Sequence, residues 1–249
     1  MSSATAPAVR IRAQAGFEVR TLLTNGEQLI VSLVLPALAL IGLAVSSTPS
    51  LGAGRRIDLA VPGVLALAVV STAFTGQAIA TGFDRRYGVL RLLGTTPLGR
   101  SGLLAGKAVA VLVVVAAQTV VLALIGFTFG WQPELSGVAA AFLFLLLGTW
   151  VWVSLALALA GVLRAEATLA LANLIWVLFA AFGGLLIPTD QLPEALGSVV
   201  RYLPSGALGD GLRAALTGHD TRLLVPVLVL VGWGAIGSFL VARFFKWSD

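Results

Sequence analysis

Residues 59–83 read LAVPGVLALAVVSTAFTGQAIATGF, a stretch without a single charge, and residues 84–107 read DRRYGVLRLLGTTPLGRSGLLAGK, a basic loop far longer than a turn needs. Crossing a hydrocarbon core of roughly 30 Å takes about 20 apolar residues at a rise of about 1.5 Å each. The first stretch therefore reads as a membrane-spanning helix, and the second as the segment by which the chain leaves the membrane.

Working outward, the same criterion gives six spans, at residues 28–46, 59–83, 108–130, 137–163, 167–188 and 223–242, each bounded by charges or by Gly and Pro. Composition agrees. The chain is 58% hydrophobic and 11% charged, whereas soluble domains carry about 25% charged residues, so it has too few charges to cover a water-soluble core. The predicted fold class is all-α integral membrane, with residues 1–249 forming one transmembrane domain that has no tandem repeat and no separately folding loop.

Orientation follows the basic residues. With the N-terminus inside, Arg10, Arg12, Arg20, Arg85, Arg86, Arg91, Arg100, Lys107, Arg164, Arg243 and Lys246 are cytoplasmic. Only Arg55, Arg56, Arg201, Arg213 and Arg222 fall outside. Both termini are then inside. The cations follow topology rather than forming a phosphate-neutralising patch, which argues against a nucleic-acid partner. Residues 1–27 carry Arg10, Arg12, Glu18, Arg20 and Glu27 without an apolar run. No cleavable signal is expected, and the first span inserts the chain. The predominance of Arg over Lys, with much Ala, Gly, Val and Leu, points to a GC-rich bacterial genome and hence to the bacterial cytoplasmic membrane.

Several reactive chemistries are excluded. The absence of Cys rules out disulfides and thiolate metal sites, and the one histidine, His219, sits beside Asp220 in an outer loop. Neither a metal centre nor the membrane-embedded base of an intramembrane protease can be assembled from that set.

Three segments outside the spans carry pattern. Val9, Ala13 and Phe17 recur at helical spacing, so residues 1–27 read either as an interfacial helix on the cytoplasmic leaflet or as a basic tail. Residues 84–94 can form a short helix with Tyr87, Leu90 and Leu93 on one side and Arg85, Arg86 and Arg91 around the rest; Thr95-Thr96-Pro97 stops it. Such a helix suits a groove on a soluble partner, the alternative being an ordinary positive-inside loop. Residues 189–222 place Leu192, Leu196, Val199 and Leu203 on one face and Leu208, Leu212 and Leu216 on another. They read as two short helices broken at Pro204, either dipping back into the membrane or resting on it.

Within the spans, Ser71, Thr72, Thr75, Gln77, Thr81, Gln118 and Asn173 are polar. Each either bonds a neighbouring helix or faces a cavity. No span contains a charge, which favours an apolar or amphipathic cargo over a small ion.

The order of these features resembles the ATP-binding-cassette type 2 permeases over essentially the whole chain. The residues that carry the resemblance are Gly88, Leu90, Leu93, Thr96, Pro97 and Lys107 in the loop, with Gly183, Gly184, Pro188, Leu192, Pro193, Leu203, Pro204, Arg213 and Leu216 near the end. The resemblance implies a coupling helix that contacts an ATPase, drawn from Asp84, Arg85, Arg86, Tyr87, Gly88, Leu90, Arg91, Leu93, Thr96 and Pro97. It also implies that two permease subunits, identical or paralogous, enclose the path. Such permeases line that path with their second and fifth spans, here Phe74, Gln77, Asn173, Trp176 and Phe179. Trp150 and Trp152, on the fourth span, read as packing or lipid contacts. Gly183, Gly184, Pro188, Pro193 and Pro204 form the exit hairpin. Where family members carry acidic residues before the loop glycine, this chain has Arg86 and Tyr87, a departure at the ATPase contact that leaves its location in place.

The chain itself lacks a phosphate-binding loop: in the nearest stretch, Ser101 stands where the first glycine belongs and Ala108 where Ser or Thr is needed. It is therefore expected to be a non-catalytic subunit without a cofactor of its own, with ATP and Mg in a partner ATPase. The exporter reading competes with a non-transporting membrane anchor that assembles another complex. A secondary transporter ranks below both, because no span has a titratable residue.

Overall fold

The computed structural model describes residues 7–24, 26, 30–94, 98–218 and 223–246, and all regular structure among them is helical. Helix α1 (Pro7–Thr24) is followed by a π-helical turn (Ile30–Val34) that runs into α2 (Leu35–Val45). Then α3 (Arg56–Val69), a π-helical segment (Val70–Gly76) and α4 (Gln77–Arg86) form one continuous rod of 31 residues. After it come α5 (Val89–Gly94), α6 (Gly99–Thr128), α7 (Val138–Ala160) and α8 (Ala165–Phe182). The short helices α9 (Glu194–Val200) and α10 (Pro204–Thr217) lead to α11 (Leu224–Phe244).

Among the described residues five helices are long and apolar enough to cross a membrane: Arg56–Arg86, Ala105–Thr128, Leu135–Ala160, Ala165–Phe182 and Leu224–Phe244. The first predicted span is a shorter apolar helix, Ser32–Val45. Pro36 has no N–H to give to the carbonyl of Ser32 one turn earlier. Gln118 of α6 supplies the missing donor, its Nε2 lying 2.8 Å from that carbonyl, while its Oε1 accepts from Thr72 Oγ1 at 2.9 Å. One side chain thus ties α2, α6 and the rod together where lipid offers no hydrogen bonds.

The Arg56–Arg86 rod is the centre of the bundle, with 89% of its apolar window buried against 17% for both α8 and α11. Its sequence explains this, since Gly63, Ala66, Ala68, Ala73, Gly76, Ala78 and Gly82 let neighbouring backbones approach closely. At about 1.5 Å per residue the rod is roughly 46 Å long, more than the hydrocarbon core requires. Its last turn therefore projects beyond the core.

Several predicted boundaries move; the third span, expected over 108–130, belongs to a helix that runs from Gly99 to Thr128. The fifth span was expected to reach residue 188, but α8 stops at Phe182. The Gly183 amide closes the last helical bond on Phe179, and Gly184 turns left-handed at φ 78°, a geometry that suits glycine. The fourth span ends at Ala160, three residues early. The helix expected over 84–94 is two elements, because Gly88 at φ 73° breaks it. Asp84, Arg85 and Arg86 therefore belong to the rod, and only Val89–Gly94 forms a separate helix.

In α1 the face opposite Val9 and Phe17 packs on the protein. Ala15, Glu18 and Leu22 are buried, and α1 lies along the start of α6, where Gly106 meets Gln14. Val9 and Phe17 point outward. Helix α10 packs into the bundle: Leu208, Leu212 and Leu216 are buried, and Gly211 leaves no room for a Cβ beside the Phe144 ring of α7.

Two substitutions test this packing. Gln118→Leu keeps the volume but removes both interhelical bonds, and should lower stability by about 1 kcal/mol, read as an earlier midpoint of unfolding in detergent. Gly211→Val should lower it by roughly 1–3 kcal/mol through overpacking against Phe144; an unchanged midpoint would exclude the close contact.

Candidate coupling and translocation site

Three consecutive residues at the end of α4 engage different helices. The Oδ2 of Asp84 accepts from Lys107 Nζ of α6 at 2.9 Å, and the same ammonium lies 3.0 Å from Glu18 Oε1 of α1. Gln14 Nε2 donates to that Glu18 oxygen at 2.9 Å. Arg85 Nη1 and Nη2 each donate at 2.7 Å, to the carbonyls of Ala160 and Leu163. Those carbonyls end α7 and the turn after it, where no further helical N–H is available. Arg86 forms an ion pair with Glu166, in the first turn of α8. The end of the rod is thus fastened to α1, α6, α7 and α8 within three residues.

Immediately beyond this node comes α5. Of the residues expected to dock on a partner, Leu90 faces inward, 1% exposed, while Tyr87 is 71% and Leu92 is 69% exposed. Arg91 is also exposed. Asp84 and Arg85 hold the chain's own helices together. The outward surface therefore runs over Tyr87, Arg91 and Leu92, the last of which the predicted pattern placed off the docking face. Leu93 lies in α5, and Thr96 and Pro97 lie outside the described residues.

The five candidate path residues divide. Phe74 packs edge-on to Trp152 with ring centroids 5.4 Å apart, and Trp152 packs in the same way on Phe179 at 5.5 Å. Trp152, expected only to pack or face lipid, is the ring that joins the other two. Trp176 Nε1 donates to Ser71 Oγ at 2.7 Å. Gln77 is fully buried, and neither of its amide atoms has a partner among the described residues. Asn173 stands apart, exposed on the outer side of α8 with Leu174 and Val177.

At the opposite end, the hairpin is organised by Arg213, which the sequence offered as an outer cation and as one of the residues that carry the family resemblance. Its Nη1 donates to the Gly184 carbonyl at 2.8 Å, its Nε to the Leu59 carbonyl at 3.3 Å, and its Nη2 to the Leu185 carbonyl. Asp210, 3.4 Å from Nη1, also accepts from the backbone and hydroxyl of Thr189. Gly63 of the rod leaves the space that this guanidinium occupies. Of the two hairpin glycines, Gly183 closes α8 on the Phe179 carbonyl, while Gly184 turns the chain and presents its carbonyl to Arg213. Pro188 is buried before the turn at Thr189–Gln191, Pro193 precedes α9, and Pro204 starts α10, where a missing N–H is harmless. His219 lies outside the described residues.

The predicted spans carry no charge, but the apolar helices run past them to buried cations, Arg85 in Arg56–Arg86 and Lys107 in Ala105–Thr128, and Arg213 is buried on α10. Two signals were present in the sequence: a lysine at the head of a long apolar run, and Asp210 and Arg213 three residues apart on one helix. Replacing Lys107 with Met leaves Glu18 and Asp84 without their cation. The loss should be roughly 3 kcal/mol, at the low end of the usual cost of breaking a buried pair because Asp84 is partly exposed. A melting midpoint equal to wild type would exclude the triad.

No curated protein matches the chain significantly. The family model for ABC-2 type transporters matches residues 16–217, from α1 through α10. With most of its length covered, the chain belongs to the ABC-2 type transporter family.

Proposed function

We propose that this membrane permease is one subunit of an ATP-binding-cassette exporter, driven by a separate ATPase that docks on α5. The observation that carries the reading is the outward patch of Tyr87, Arg91 and Leu92, set one residue or more beyond a node that grips four other helices. Force applied to α5 reaches α1, α6, α7 and α8 through Asp84, Arg85 and Arg86 without passing through a flexible linker. In this reading residues 1–249 form one domain in the bacterial cytoplasmic membrane with both termini inside. The helix Ser32–Val45 is the sixth span, and α9 and α10 re-enter the membrane from the outside. ATP and Mg belong to the partner.

The cargo is apolar or amphipathic: a drug, a lipid or a lipid-linked molecule. Supporting this is the aromatic row Phe74, Trp152 and Phe179, beside the unpartnered Gln77 amide. A polar side chain such as Asn173 on an otherwise apolar exposed face is costly in lipid. A second permease subunit, identical or paralogous, covers that face.

Two measurements test the reading. Tyr87→Asp combined with Leu92→Asp should abolish complex-dependent ATP turnover while the protein inserts and melts normally. Leu90→Asp should instead destabilise the chain itself. Normal turnover by the double variant sinks the coupling assignment, and a complex that forms without any transport supports the membrane-anchor alternative. For pairing, Asn173→Cys would be the only cysteine in the chain. A bifunctional maleimide should link it into a covalent dimer in membranes; absence of any cross-link, to itself or to a paralogue, would remove this face from the interface.

A further inference from the structure

Between α6, α7 and α11 lies a cavity of about 470 Å³. Its origin is a mismatch of side-chain size. Toward the hairpin, α11 touches α7 closely, with Gly234 against the Trp150 ring and Gly237 against Ser154. Toward the α5 end, Phe245 packs on Gly161, and the Lys246 amide donates to the Gly161 carbonyl at 3.1 Å. Between these two contacts the facing residues are small, Ser238 and Ala242 on α11 and Ala105 and Ala108 on α6, so the helices leave a gap.

The walls are apolar in effect as well as in composition. Ser154 Oγ donates to the Val151 carbonyl at 2.8 Å, and Ser238 Oγ accepts from Trp150 Nε1 at 3.1 Å, so both hydroxyls are engaged within the wall. Thr149 Oγ1 is the one buried side-chain polar atom of the lining without a partner among the described residues. A charged or strongly hydrated group would find nothing here to replace its water. The volume falls within the roughly 300–1,000 Å³ of small-ligand sites and suits one slender chain rather than a headgroup.

The rim beyond the α5 end of these walls is cationic. Arg243 follows the lining residue Ala242 and lies over the Phe244 ring, Lys246 is held beside Gly161, and Arg164 ends the turn after α7. All three are exposed, and among the described residues none pairs with a carboxylate. The cavity is also separate from the row of path residues, because α7 stands between them: Trp152 on its other side meets Phe74 and Phe179.

The geometry points to a resident anionic phospholipid, one acyl chain filling the cavity between α6, α7 and α11 and its phosphate set among Arg164, Arg243 and Lys246. It wedges α11 to the bundle and is not cargo. Its assignment to the cytoplasmic leaflet rests on the orientation proposed above; the site itself does not.

The test uses the full chain alone, so a failure of ATPase coupling does not bear on it. Protein reconstituted in phosphatidylcholine vesicles containing a minority of phosphatidylglycerol is re-extracted in mild detergent, and the retained lipids are quantified by mass spectrometry. Wild type should retain phosphatidylglycerol in preference to phosphatidylcholine. Ala108→Trp, or Leu112→Phe if the larger ring prevents folding, should lose that retention with the melting curve still cooperative. Arg243→Gln and Lys246→Gln should keep a lipid but reduce the preference for phosphatidylglycerol, by roughly fivefold per cation removed. The proposal is overturned if wild type retains no lipid or shows no headgroup preference. Equal retention by a folded cavity-filled variant overturns it too.

Discussion

Lipid supplies no hydrogen bonds, so every polar group on the central rod must be satisfied inside the chain or left unpaired at a cost. Much of the structure follows from how the Arg56–Arg86 helix meets that constraint. Its small residues bring α2, α6, α7 and α10 close enough for side-chain bonds to reach, and its charges sit at its two ends. Where a proline removes a backbone donor, as at Pro36, a glutamine from another helix replaces it.

The two ends of the rod are fastened by different chemistry. At the hairpin end one guanidinium collects three carbonyls from two separate segments, and glycines at positions 63 and 209 make room for it. That is a lock on backbone carbonyls. At the α5 end the links are ion pairs and one arginine on helix-terminal carbonyls, each to a different helix. Arg85 at this end is a buried guanidinium fixed to backbone, as Arg213 is at the other, and Lys107 is buried as well; the Arg86–Glu166 pair is the exposed link.

Hydropathy made the spans legible because span length and charge exclusion are properties of local sequence. It misjudged the end of α8 because Leu185, Leu186 and Ile187 are apolar whether or not their backbone is helical, and only the left-handed Gly184 ends the helix. The break at Gly88 escaped notice for the same reason. Lys107 was visible as a loop cation, but its burial depends on Glu18 and Asp84, which only the packed fold brings to it. The outward face of α5 was misassigned because a helical period fixes which residues share a side, not which side packs inward.

Polar satisfaction along the rod is itself uneven, and the unevenness has a direction. Toward α2 and α6, Thr72 and Gln118 are bonded across helices. On the α4 half, Gln77, Thr75 and Thr81 have no hydrogen-bond partner among the described residues, nor does Thr168 of α8, which lies against Gly82. Leaving such groups unmade costs on the order of 1–3 kcal/mol each when they are fully desolvated. The π-helical segment Val70–Gly76 ends at Gln77, and π segments occur often at functional sites in helices. The seam between the rod and α8 is thus held by aromatic packing, by the Trp176–Ser71 bond and by the Arg86–Glu166 pair at its edge, with donors and acceptors left over inside. A seam of that kind is cheaper to open than one closed by bonded side chains, and an amphipathic molecule entering it would meet apolar rings and unclaimed hydrogen-bonding groups together.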